Sequence, residues 1–170
     1  MPPPRSAVLT LGRRLHSVLT RAISDSDTYI GGRVTPEDFQ HYCSAMYLAA
    51  TLAFIEGKHG RRAWKSSTAH IGLNDFLILR DDKRKVTLLN ANVSEAGIDA
   101  LVCIRNAVVH NDADLAQNSD PRCLQRVIAA RIPGVHISGT TVVLKSSPAE
   151  DFMEYVRKCF VALSMLHGDL

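Results

Sequence analysis

From residue 6 to residue 24 the apolar positions Val8, Leu11, Leu15, Val18 and Leu19 return every three or four residues. That spacing lays one stripe along a helix. A polar loop containing Gly31-Gly32 follows. Thr35-Pro36-Glu37-Asp38 then opens a second helix. The threonine hydroxyl can accept from a free N–H, the proline lacks an N–H where none is needed, and the acids face the positive end of the helix dipole. Phe39, Tyr42, Cys43, Met46, Ala49, Ala50, Ala53 and Phe54 continue an apolar face towards Gly57. Residues 58–93 are less regular: a helix is expected from Ser67 to Leu79, weakened by Gly72, with a charged turn over Arg80 to Lys85. Ser94 can cap a helix that starts at Glu95 and ends near His110 or Asn111. Asp120-Pro121 opens a short helix carrying Leu124, Val127 and Ile128, which stops before Pro133.

The period then changes from 3.6 to 2. Val135 and Ile137 alternate with His136 and Ser138, Gly139-Thr140 makes a tight turn, and TVVL completes a hairpin. Ser147-Pro148-Ala149-Glu150 reads as a capping box with proline at the first helical position. It leads a last helix with Phe152, Tyr155, Val156, Cys159, Phe160, Leu163 and Leu166 on one face. The expected fold class is all-α: a helical bundle with a small β-hairpin inserted before the last helix. Residues 1–170 are read as one domain, with 1–5 as a loose leader.

Composition narrows the class without naming a function. Hydrophobic residues at 46% and charged residues at 22% are ordinary globular values. The longest apolar run, near Ala45 to Ile55, falls short of a membrane span, and the first residues lack the form of a secretory signal, so a soluble, cytoplasmic protein is expected. The four cysteines, at 43, 103, 123 and 159, form no CxxC pair and sit among apolar neighbours, so they read as reduced core residues. A net charge of +3 is too mild to argue for nucleic acid by itself. Local clusters at Arg13-Arg14, Arg61-Arg62 and Lys83 to Lys85 could attract phosphate, although each also reads as a solvated surface.

One stretch resists a purely structural reading. In CIRNAVVHND, residues 103–112, an arginine, an asparagine and a histidine interrupt an otherwise apolar helix. At 100° per residue Arg105 falls about 20° from Ile98, with Val102 and Val109 within about 40° of it. The sequence therefore places a permanent charge within an apolar stripe, where burial without a partner would cost several kcal/mol. Asn106 and His110 stand one turn apart at the edge of that stripe. A buried Arg105 paired with an acid from another helix, and a His110 placed at the negative end of its own helix, remain the structural alternatives. The combination suits a subunit interface that contains a polar cleft.

RNA cleavage requires a base for the 2′ hydroxyl proton, an acid for the departing 5′ oxygen and positive charge beside the pentavalent phosphate. Histidine and arginine provide these without a metal. Two histidines brought together by a dimer axis could divide the proton transfers, while an asparagine orients the histidine or holds the phosphate. Rival chemistries have less to support them. The seven histidines include no HxxxH or HExxH pair, and neither a GxxxxGK[ST] nor a GxGxxG loop occurs. The serines and cysteines lack a nucleophile elbow.

The run Arg105-Asn106-Ala107-Val108-Val109-His110 resembles the R-x4-6-H signature of the HEPN superfamily, including the polar residue that follows the arginine. The resemblance covers residues 6–167, but its specificity lies in the motif. It implies a HEPN-like helical bundle and a metal-independent, cofactor-free endoribonuclease whose active site forms across a homodimer. Arg105, Asn106 and His110 would be the catalytic residues, and Asn111 and Asp112 would help to bind the RNA substrate. It also implies toxin–antitoxin or anti-phage defence, with an antitoxin or other defence protein as partner and no membrane association. In one toxin subgroup a tyrosine stands two positions after the histidine; here that position is Asp112, which argues against regulation through tyrosine modification. A non-catalytic HEPN scaffold or RNA- or protein-binding domain is the alternative. A third reading, a generic RNA-binding helical domain, would rest on the basic clusters instead.

Overall fold

A computed structural model describes residues 6–25, 35–55, 92–147 and 149–166. Among these, helix α1 spans Ser6–Ser24, α2 Pro36–Ile55, α3 Glu95–His110, α4 Cys123–Ala130 and α5 Phe152–Leu166. A 3₁₀ turn at Leu115–Gln117 separates α3 from α4. Strands β1, Val135–Ser138, and β2, Thr141–Leu144, form an antiparallel hairpin between α4 and α5. The chain is thus an all-α bundle with a small hairpin inserted before its last helix. No helix among the described residues is long and apolar enough to cross a membrane. The leader at 1–5, the Gly31-Gly32 loop, the helix expected over 67–79 and the charged turn at 80–85 lie outside the described residues.

The core is shared among nearly all these elements. Tyr47 and Leu48 of α2, Leu101 and Ile104 of α3, Leu144 of β2 and Phe152 of α5 are essentially fully buried. The hairpin belongs to this core through one face: Val142 and Leu144 are buried, and Val135 and Ile137 opposite them are partly so. Its other long edge does not stand free. The Leu115 N–H donates to the Thr140 carbonyl at 2.9 Å, and the Val142 N–H donates to the Ala113 carbonyl at 2.9 Å. The loop leaving α3 therefore behaves as a short third strand beside β2.

The start of α2 is the one its sequence calls for. The Asp38 N–H donates to the Thr35 hydroxyl at 3.1 Å, and that hydroxyl donates to the Asp38 carboxylate at 2.8 Å. Its buried face differs from the expected one. Tyr42 and Met46 are 61% and 63% exposed, whereas Cys43, Ser44, Tyr47, Leu48 and Leu52 face the core. Apolar residues surround almost the whole of α2, so periodicity alone does not select a face. Polar contacts to the chain after β2 do. Gln40 Nε2 donates to the Ser146 carbonyl at 2.7 Å, and His41 Nδ1 accepts from the Leu144 N–H at 3.0 Å. The fully buried Ser44 shares a 3.0 Å hydrogen bond with the Ser146 hydroxyl, which also accepts from the Met153 N–H at 3.1 Å. In α1, likewise, Leu15 and Leu19 pack on the core while Val18 is exposed.

The α5 start is a second correction. Ser147 does accept from the Glu150 N–H, at 3.2 Å, but the Ser147 N–H donates back to the Glu150 carbonyl at 2.9 Å, and Ser146 bridges to Asp151. The expected capping box is a closed turn. The helix begins at Phe152, with Asp151 accepting from the Glu154 N–H at 3.0 Å as the cap. Tyr155, Val156, Cys159 and Phe160 then face inwards, as their spacing predicts. The side chains of Leu163 and Leu166 lie outside the described residues.

The third correction concerns the cysteines. Cys43 and Cys159 are free and buried, but Cys103 and Cys123 are joined in a disulfide with their Cα atoms 5.4 Å apart. Sequence spacing conceals this pair, because α3 and α4 bring the two residues together only by packing against each other.

Two predictions follow from these contacts. A Cβ on Gly134, at φ +72°, would collide with the Lys145 carbonyl oxygen and lie 2.8 Å from the Phe152 nitrogen, whereas one on Gly139, at φ +63°, would meet open space. Gly139→Ala should therefore cost about 1–2 kcal/mol of left-handed backbone strain, and Gly134→Ala clearly more, as read from urea midpoints. Burial holds the His41 imidazole below its usual pKa of 6.5, although Asp38 pulls the other way. The folded state thus prefers neutral His41. Its contribution is fully present above about pH 6.5 and is lost as pH falls through the lowered folded value. The melting temperature should drop on acidification from pH 7 to 5, and by less in His41→Asn, whose Oδ1 can accept from Leu144 without titrating.

Candidate functional site

Helix α3 carries the candidate residues and is well specified at its start. Ser94 Oγ accepts from the Gly97 N–H at 2.9 Å, and Glu95 occupies the first turn. Gly97 is required there by packing, because a Cβ would run into the Tyr155 hydroxyl of α5. From that point Ala100, Leu101, Cys103, Ile104 and Ala107 form the buried face. Arg105 lies at the edge of that face and is half-buried. Ile98 is buried only at the N-terminal end, while Val102 and Arg105 are half-buried and Val109 is 49% exposed. At 100° per residue Arg105 lies about 20° from Ile98 and about 40° from Leu101, both buried, and about 140° from buried Ala100. Val102 packs at the edge of the core, and Val109 stands exposed beyond it.

Asn106 is half-buried, and His110, the last helical residue, is exposed. At 100° per residue His110 lies about 40° from Asn106 but about 140° from Arg105. One copy of the helix therefore sets the asparagine and the histidine on one flank and the arginine towards another. One groove of about 470 Å³ lies away from these residues, lined by Val127, Arg131, Val135, Ile137 and Glu150 among others.

The end of α3 is fixed in unusual detail. Both the Asn111 N–H, at 2.9 Å, and the Ala113 N–H, at 3.0 Å, donate to the Ala107 carbonyl. Asp112 and Ala113 both take left-handed backbone conformations, at φ +48° and +65°. Each costs on the order of 1 kcal/mol without a glycine, and the bonds to β2 offset that strain. The Asn111 side chain is drawn inwards: its Nδ2 donates to Asn118 Oδ1 at 2.9 Å. The buried Asn118 in turn donates from Nδ2 to the Cys103 carbonyl at 2.9 Å. Asp112 is exposed to solvent. Of the two residues expected to bind substrate, Asn111 thus has its amide engaged in shaping the turn, and Asp112 stands at the surface beside His110.

Around the following loop the charges are largely paired. Asp114 accepts from the Ala116 N–H and from Gln117 Nε2, each at 2.9 Å, and the Gln117 and Thr140 side chains hold its carboxyl below the usual range. Asp120 meets Arg122 at 3.3 Å and Arg126 at 3.1 Å. Its pKa is lowered first by the Arg122 backbone N–H and then by the two guanidinium groups. Among the described residues no group of three or more His, Cys, Asp or Glu side chains is arranged to hold a metal ion. Of the basic clusters, Arg14 is exposed on α1; the Arg13 side chain, Arg61-Arg62 and Lys83 to Lys85 lie outside the described residues.

Sequence reasoning missed Asn118 and the pairing of Cys123 with Cys103. Asn118 lies in the irregular run DLAQNSD, where neither period 2 nor period 3.6 marks a buried position. Comparison of the chain with protein-family models, with curated proteins and with solved structures finds no match. The residues and their geometry therefore carry the functional argument.

Replacing Asn118 tests how the end of α3 is set. Asn118→Ala leaves the half-buried Asn111 amide without its acceptor and should cost about 1–3 kcal/mol. Asn118→Asp keeps an acceptor for Asn111 but turns a carboxylate towards the Cys103 carbonyl, and should cost more. Urea titrations with unchanged slope measure both effects.

Proposed function

We propose that this chain is a HEPN-type endoribonuclease that cleaves RNA without a metal, as a homodimer with a composite site of Arg105, Asn106 and His110. The observation that supports this reading is the open, polar side at the end of α3. Its core side is filled by Ala100, Cys103, Ile104 and Ala107, whereas Val109 and His110 are exposed and Arg105 and Asn106 are partly so. A helix end that leaves Val109 and His110 exposed and Arg105 and Asn106 half-buried offers what a second copy and a phosphodiester would need.

In this mechanism one His110 takes the 2′ hydroxyl proton, and the oxygen attacks the adjacent phosphorus. The His110 of the second copy protonates the 5′ oxygen as the P–O bond breaks, leaving a 2′,3′-cyclic phosphate and a free 5′ hydroxyl. Arg105 stabilises the charge on the non-bridging oxygens, and Asn106, on the same flank as His110, orients the ring or the phosphate. Asp112 lies at the mouth of such a site and faces the bases or ribose; Asn111 acts by holding the turn. A cytoplasmic place in toxin–antitoxin or anti-phage defence, with an antitoxin or defence protein as partner, belongs to the same proposal.

A second reading, a scaffold that uses the outer side of α3 only to pack against another chain, is favoured by the exposed Val109. Labelled RNA incubated with the purified protein in EDTA separates the two. Cleavage should persist in EDTA and fall by about 10²-fold or more in Arg105→Ala and in His110→Ala, with melting temperatures retained. Mixing His110→Ala into the unmodified protein should lower cleavage beyond simple dilution, because a mixed dimer holds only one His110. Cleavage that stops in EDTA, or that survives in both variants, overturns the nuclease reading; a dimer that never cuts RNA favours the scaffold.

A further inference from the structure

We infer that the Cys103–Cys123 disulfide is a redox lock that sets the end of α3, and with it the geometry around Arg105 and His110. The activity part of this inference rests on the function proposed above. The bond joins the core face of α3, next but one to Arg105, to the first residue of α4, and closes a segment with a sequence separation of 20. That segment contains His110, the left-handed pair Asp112-Ala113, and Asn118 with its bonds to Asn111 and the Cys103 carbonyl. Two different ties thus meet at one residue: Cys103 holds Cys123 through its sulfur and Asn118 through its carbonyl.

The far end of the lock is a short helix that packs mainly against α3. α4 has only eight residues, its first turn has no side-chain cap, and Cys123 and Val127 are its only fully buried residues. A helix that short has little stability of its own and keeps its place through packing and through the covalent tie. Opening the tie should therefore loosen the loop and α4 first, while the clasp between α2 and Ser146 and the core of α5 remain.

The chemistry is disulfide exchange with an external dithiol. A thiolate of the dithiol attacks one sulfur of the pair, and its second thiolate resolves the mixed disulfide. The dithiol gives up two electrons and departs as its own disulfide; Cys103 and Cys123 each gain a proton. The other two cysteines are unsuited to start this exchange from within. Both are buried, burial pushes the Cys43 thiol above its usual range, and burial pushes the Cys159 thiol up to about 12. Cys103 and Cys123 are themselves only 3% exposed, so reduction must wait for local opening of α4.

Hydrogen exchange read by mass spectrometry on the full chain, oxidised and after reduction by dithiothreitol, tests the lock, with RNA cleavage measured on the same samples. Reduction should speed exchange of amides in residues 109–130 by about tenfold or more, leave residues 41–48 and 152–160 unchanged, and lower RNA cleavage about tenfold; reoxidation should reverse all three. Cys123→Ala should match the reduced state, and non-reducing peptide mapping should find Cys103 linked to Cys123. Equal exchange in both states, loss of protection throughout the chain, or a different cysteine pairing overturns the lock. Exchange that changes while cleavage stays constant overturns its control of the site. If neither state cuts RNA, the nuclease reading fails and exchange alone decides the lock.

Discussion

Cys103 is the point on which the described geometry of the candidate residues depends. Its sulfur is bonded to α4, its carbonyl accepts from buried Asn118, and its side chain lies on the core face of α3. The helix is therefore held in rotation as well as in position: turning α3 would break the disulfide, strand the Asn118 amide and expose Ile104. Because helix rotation fixes every side chain's direction at once, the same constraint that buries Ala107 sends Val109 outward and leaves His110 at the surface. The turn after His110 is a consequence of this arrangement. Two consecutive left-handed residues without glycine persist only where neighbours over-determine them, and here the Ala107 carbonyl, Asn118 and the edge of β2 do so.

The same logic governs α2, with different chemistry. A helix that is apolar on nearly every side gains similar burial in several rotations, so hydrophobicity alone gives a poorly defined answer. The polar side chains Gln40, His41 and Ser44 have few places where their hydrogen bonds can be made. Leu144 and Ser146 supply them. An unmet polar group in the core costs about 1–3 kcal/mol, so the few polar residues select the face and the many apolar ones follow. Tyr42 and Met46 are left on the outside by that selection rather than by any polarity of their own.

These two helices show which features were legible from residues alone. Caps were legible where one side chain acts on its own neighbours, as at Thr35 and Ser94, and so was the hairpin, whose glycine turn and alternation are local signals. The buried face of α2 was not, because apolar residues lie on nearly every side of it and the choice among them is made by partners distant in sequence. The last cap failed for a related reason: Ser147 and Glu150 do pair, but the Ser146–Asp151 bridge closes them into a turn and hands the cap to Asp151. At the candidate site, the stretch from Arg105 to Asp112 stood out through its residue types. Asn118 and Cys123, which position it, did not, since a buried amide in an irregular loop and a cysteine 20 positions away leave no periodic trace.

The angular arrangement on α3 also limits what a single copy could do chemically. Each chain contributes one histidine to this helix end, and transesterification of RNA needs one group to accept a proton while another donates one. Asn106 cannot take either role, and the proposed chemistry uses Arg105 for charge rather than for proton transfer. With Arg105 about 140° from His110, the charge and the proton-transfer group of one copy also face different directions, although a long guanidinium side chain narrows that gap. In the proposed dimer a second copy would supply the missing imidazole and a second arginine. The half-site character of α3 is therefore a physical requirement of the proposed chemistry, and an active monomer would require a different proton donor from elsewhere in the chain.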